Sequence, residues 1–167
     1  MTLIIVSGTR HARTDQHRAD VEFRLSRWRP GAGATLVHGD APGVDRLAAF
    51  VAASWAWNVV AVPAQWQTCD ASIPRELGGC PKGPHLKVKH GRTYCPFAGN
   101  RRNQSMIDGW PHAESVLAFP ALGSAGKSGT WDLVHRAADA GLTPQIFPLA
   151  VSRPEVRQFL TLPAESE

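Results

Sequence analysis

The chain has 167 residues, 43% of them hydrophobic and 19% charged, with a net charge of +4. That length suits one domain with a real hydrophobic core, and the balance is ordinary for a soluble globular protein. Its arginines are dispersed rather than run together, which argues against a basic nucleic-acid-binding tail, and no apolar run approaches the roughly 20 residues needed to span a bilayer.

Leu3 to Val6 is a short, continuous apolar run of β-branched type, as expected for a central parallel strand covered on both faces. The preceding residues are too few for a signal-peptide core, so a cytoplasmic protein is expected, with its cysteines reduced or metal-bound. A helix is predicted from about Asp15 to Trp28, with Val21, Leu25 and Trp28 on one face, ended by Pro30-Gly31-Ala32-Gly33. Thr35 to His38 reads as the second strand. The helix from Gly43 to about Trp57 carries Val44, Leu47, Ala48, Val51 and Trp55 as its buried stripe. Val59 to Val62 is the third strand, closed by Pro63.

The pattern then lapses. Residues 64–99 show no sustained period but hold all three cysteines and four prolines. A stretch this long in a compact domain is usually functional, metal-held or disordered. After it come a helix from Arg101 to about Trp110, a strand at Ser115–Phe119, a helix from Thr130 to Ala140 and a strand at Pro144–Phe147. A terminal helix around Arg153 to Leu160 is expected in the tail, residues 151–167. Strands alternating with helices imply an α/β, Rossmann-like, doubly wound and mainly parallel sheet over residues 1–150.

Three glycine-bearing turns follow strands: Ser7-Gly8-Thr9-Arg10, His38-Gly39-Asp40-Ala41-Pro42-Gly43-Val44-Asp45, and the longer Phe119 to Thr130. In such sheets the carboxyl ends of strands form the ligand crevice, and a helix N-terminus with close backbone N–H groups favours phosphate. Gly8, Thr9, Arg10, Gly39, Asp40, Gly43, Asp45, Gly126, Lys127, Ser128, Gly129 and Thr130 are therefore candidate ligand-binding residues. Asp45 is expected either to accept from a ribose hydroxyl or to fix its own loop. Gly126-Lys127-Ser128 imitates the end of a Walker A loop, but the first glycine of that motif would fall on Ala121. Trp66 and Trp131 flank the expected crevice, either one placed to stack on a base.

Cys69, Cys80 and Cys95, with His85 or His90, make a second constellation. Three thiolates and one imidazole suit a closed, structural zinc site that would staple the irregular insert.

The Ser-Gly-Thr-Arg turn, Val37 to Ala48, Arg102-Asn103-Gln104-Ser105-Met106, and Ala118-Phe119-Pro120 with Ser128-Gly129-Thr130 together resemble the SLOG superfamily. That superfamily groups DprA/Smf-type DNA-processing proteins, LOG-type phosphoribohydrolases and YspA/YpsA-like proteins of bacteria and phages; the chain is most similar to the YspA-like branch. The resemblance implies a Rossmann-like domain binding a nucleotide, ADP-ribose or NAD-like molecule, and adds Arg102 and Asn103 to the binding set. Likeness to related YspA-like sequences favours His85 over His90 as the fourth ligand.

A LOG-like hydrolase of nucleoside 5′-monophosphates is one alternative, with Asp132 and Arg102 as catalytic residues. Here Asn103 stands where that signature has lysine, and Leu133 where it has glutamate. The other alternative is DprA-like binding of single-stranded DNA. A homodimer is expected from the resemblance alone.

Overall fold

The computed structural model describes residues 2–28, 33–126 and 128–152. Residues 29–32, Lys127 and residues 153–167, where the terminal helix is expected, lie outside the described residues.

Five strands form one parallel sheet: β1 (Leu3–Gly8), β2 (Thr35–His38), β3 (Asn58–Ala61), β6 (Ser115–Phe119) and β7 (Pro144–Ile146), in the order β3-β2-β1-β6-β7. A separate antiparallel hairpin, β4 (Lys87–Lys89) and β5 (Arg92–Tyr94), lies in the insert. β1 is central, as its unbroken apolar run requires. It pairs with β2 on one side and β6 on the other, so the chain reverses its winding between β1 and β6.

Alternate strand residues feed two apolar layers, because successive side chains leave a strand on opposite faces. Ile4, Val6, Leu36, Leu117 and Phe119 pack with Val21 and Leu25 of α1 (Asp15–Leu25) and with Val44, Ala48 and Val51 of α2 (Val44–Ser54). Ile5, Val37 and Val116 pack on the other face with Met106 and Ile107 of α3 (Ala98–Gly109) and Leu133 and Ala137 of α4 (Gly129–Asp139).

Caps explain where two helices begin. Thr14 accepts from the His17 N–H at 3.1 Å, while His17 Nδ1 accepts from the Thr14 N–H at 3.3 Å. The Ser128 hydroxyl accepts from the Trp131 N–H at 3.4 Å and opens α4. The helix expected from Arg101 starts earlier, at Ala98, where Ala98, Cys95 and Cys80 are buried together under Trp66 and Phe97. The hairpin was not visible in the sequence: its strands are three residues each and almost fully exposed, so no apolar alternation marks them. Among the described residues, no helix is long and apolar enough to cross a membrane.

Candidate functional site

The three glycine-bearing turns meet at the carboxyl ends of β1, β2 and β6, and Asp45 joins two of them. Its buried carboxylate accepts N–H bonds from Gly39 at 2.9 Å, Gly8 at 3.2 Å and Ala41 at 3.3 Å. The second of its two expected roles, fixing the loop, is thus built into the fold. Burial pushes the Asp45 carboxyl up to about 6, against the downward pull of Arg102 and the three N–H groups. Gly43 adopts φ +85°, and a Cβ there would stand 2.2 Å from the Thr9 carbonyl oxygen. Only glycine fits that approach, which brings the Val44 N–H to Thr9 O at 3.2 Å.

Between these loops and α4 opens a cleft of about 410 Å³. Gly8, Thr9, Arg10, Arg102, Ser128, Gly129 and Thr130 all line it, as do Trp66, Asn100 and Ser124. Among the described residues lining it there are arginines but no carboxylate. The serine cap takes the Trp131 N–H, which leaves the Gly129 and Thr130 N–H groups at the helix start in the cleft wall. A Cβ on Gly129 would meet no atom within 4 Å, so the missing side chain leaves open space there. A smaller pocket of about 280 Å³ adjoins the cleft past Gly39, Asp40 and Pro42, and shares Arg10, Ala41, Trp66 and Arg102 with it.

Arg102 is held from two sides. It donates to the Gly39 carbonyl, and its Nε donates to Asn103 Oδ1 at 2.9 Å. A Cβ on Gly39 would overlap the Arg102 guanidinium, so the bare backbone makes this contact. Burial, and secondarily Arg10, lower the Arg102 pKa, while Asp45 opposes the shift.

Asn103 and Asp132 are placed away from the cleft wall. The buried Asn103 amide donates to Gly129 O and to Asp132 Oδ2, both at 2.8 Å, and so ties α3 to the start of α4. Asp132 also accepts from Asn100 Nδ2 at 3.2 Å and pairs with Arg136 at 2.9 Å. Asp40 lies on the outer rim with φ +52°, and its carboxylate stands 3.8 Å from Arg46. Gly126 lies at φ +74° in the long turn beside the undescribed Lys127.

The insert carries a second cluster. The ligand atoms of Cys69, Cys80, His85 and Cys95 all lie within 4.8 Å of one another, a donor set able to hold a metal. Cys80 and Cys95 sulfurs are 3.4 Å apart, and His85 Nε2 is 3.3 Å from Cys69 Sγ. His85 Nδ1 is engaged with the Gly83 carbonyl at 2.8 Å, which orients the ring. His90 instead occupies the exposed hairpin turn at φ +50°. Arg101 donates to Cys80 Sγ at 3.0 Å and also reaches the Thr68 carbonyl. Burial raises the Cys95 pKa, but hydrogen bonds from Arg101 and Cys80 outweigh it and bring the thiol down to about 6. Arg101 and Asn100 had no separate sequence signal beyond adjacency to Arg102.

The sequence matches no family model, and no curated protein is significantly similar to it. The fold is nonetheless shared with solved structures. The chain is similar to DNA processing protein A (DprA) from Streptococcus pneumoniae, with TM-score 0.56 and 19% identity, over 92% of this chain and 52% of that one. It is also similar to the structural-genomics target TM1055, with TM-score 0.50 and 14% identity, over 86% of this chain and 72% of that one. The chain therefore spans about half the length of DprA. At these identities the likeness shows the fold alone: an α/β, Rossmann-like domain with a mainly parallel sheet.

Proposed function

We propose that this protein, as a YspA-like member of the SLOG superfamily, binds a nucleotide or nucleotide-derived molecule such as ADP-ribose in the cleft between β1 and β6. One observation carries the reading: Arg10, Arg102 and the N-terminus of α4 line a single cleft whose described walls contain no carboxylate. Guanidinium groups fork onto phosphate, and the helix start favours its charge. The backbone of Gly8–Arg10 and Gly129–Thr130 would hold the phosphate, with Thr130 or Ser128 near a ribose. The Gly39–Gly43 loop would bound the far side, and Lys127 would add a point charge.

The Cys69, Cys80, His85 and Cys95 cluster is proposed to hold a structural zinc ion. Its soft sulfur and imidazole donors suit zinc, and at a zinc–sulfur distance of about 2.3 Å tetrahedral ligands stand roughly 3.8 Å apart. The observed 3.3 to 3.4 Å spacings and 4.8 Å spread bracket that value. A full protein shell leaves the ion no open position, so its contribution is to the insert's stability.

Thermal unfolding of the metal-loaded protein against AMP, ATP, NAD, ADP-ribose and an oligonucleotide tests the binding reading, with Arg10→Ala alongside. A ligand at 100 times its Kd adds about 2.7 kcal/mol, and the shift should vanish in the variant. A shift with the oligonucleotide alone would favour the DNA-binding alternative. Release of free base from AMP, lost in Asp132→Asn, would establish the hydrolase.

A further inference from the structure

We propose that Trp66 is the platform on which the base of the bound ligand stacks. The site would then select nucleotides with an aromatic base over bare sugar phosphates. This inference rests on the phosphate-binding reading of the cleft.

Sequence alone left Trp66 and Trp131 equivalent, and the structure separates them. Trp131 commits its indole N–H to Ser124 Oγ at 2.9 Å, and it lines neither the cleft nor the pocket beside it. Trp66 lines both, at the point where the two join. Trp66 is half-buried, so it both packs against its neighbours and borders open space.

Arg10 supplies the second observation. Its guanidinium lies 5.5 Å from the centroid of the Trp66 ring, a planar cation against a planar aromatic. That packing occupies the kind of surface a base would use, and both residues border the same open space. When a nucleotide enters, its phosphate offers Arg10 a charge-assisted, forked partner that is stronger than the ring. The guanidinium then leaves the indole, and the base takes its place. Arg10 and Trp66 would act as a pair whose contact is exchanged for two contacts with one ligand.

The insert aims the platform. Trp66 O accepts the Cys95 N–H at 2.8 Å, so the tryptophan is one hydrogen bond from the Cys3His cluster. The ring meets Tyr94 of the hairpin edge-on, with centroids 6.2 Å apart. Its far edge lies over Gly99, where even an added Cβ would be only 3.4 Å away. These neighbours belong to the insert or to the start of α3, and none to the five-stranded sheet. In this reading phosphate is held by the Rossmann-like core, and base preference is supplied by the insert that carries the Cys3His cluster.

The test compares AMP with ribose 5-phosphate by titration of the metal-loaded full chain, in the wild type, Trp66→Leu and Trp66→Phe. Stacking of one base on one aromatic ring corresponds to about 5- to 150-fold in affinity. Wild type should prefer AMP by a factor in that range. Trp66→Leu should collapse the preference to near unity, with ribose 5-phosphate bound as tightly as in the wild type or several-fold more tightly, because Arg10 no longer has to leave a ring. Trp66→Phe should retain the preference, yet lose the quenching of tryptophan emission that AMP, and not ribose 5-phosphate, produces in the wild type. This second variant keeps a ring in place and serves if Trp66→Leu fails to fold. Equal wild-type affinity for the two compounds, or an unchanged preference in Trp66→Leu, would overturn the inference and leave phosphate binding standing. Binding of neither compound would overturn both readings together.

Discussion

The sheet and the insert are stabilised by different physics. In the sheet, Ile4, Ile5, Leu36, Leu117 and Phe119 are completely buried between two layers of helices. The insert, residues 64–97, buries little: Leu86 is 56% and Val88 71% exposed, and its apolar contacts gather around Cys80, Cys95 and Ala98 at the start of α3. One region is fixed by apolar area, the other by a few polar and sulfur atoms at one point. The cleft lies where they meet, so its two walls should respond to different perturbations.

The largest effect should come from the sheet. Leu117→Ala empties a fully buried site between β1 and β7 and should cost about 2–5 kcal/mol, read as a lower urea midpoint for the whole molecule. A midpoint within experimental error of the wild type would contradict the core as described.

Next is the insert. Cys95→Ser should abolish binding of one zinc ion per chain, measured by mass spectrometry under native conditions. It should also speed amide exchange across residues 64–97 while β1 and β6 stay protected. Uniform loss of protection in both regions would show that the two are a single cooperative unit and remove the comparison. His85→Ala should reproduce the metal loss and His90→Ala should not, since only His85 lies in the cluster.

Asp45 gives a smaller, pH-dependent effect on the sheet side. Its folded pKa, raised to about 6, lies above the ordinary value of 3.8. The folded state therefore binds the proton more tightly than the unfolded chain. That stabilisation is complete below about pH 4 and is lost as pH rises through 6. The wild-type urea midpoint should fall across this interval, and the fall should be absent in Asp45→Asn.

The smallest effect on stability is expected from Gly39→Ala, which displaces the Arg102 guanidinium without opening the core. Affinity for AMP should drop several-fold with little change in the unfolding midpoint. A large fall in the midpoint would mean that the Arg102–Gly39 contact is a structural tie first.

Much of the molecule was legible in the sequence. The unbroken apolar run Leu3–Val6 determines a central strand, and the spacing of Val44, Leu47, Ala48 and Val51 determines a helix against it, because burial imposes its period on the chain. Strand–turn–helix punctuation by glycine placed Gly8 and Gly39 at strand ends and Gly129 at the start of a helix. Cysteine and histidine types, with their chemistry, pointed to one cluster in the insert. What the sequence could not carry was distance between residues far apart along the chain. Likeness to YspA-like sequences favours His85 over His90, but no period in the chain separates them, because the hairpin that holds His90 apart has short, exposed strands. That Asp45 binds the Gly8 loop, that Asn103 engages Asp132, and that Trp66 meets Arg10 are contacts across separate elements. Periodicity reports which face of an element is buried. Which polar groups then find one another is decided only when the sheet, the helices and the insert close on the same cleft.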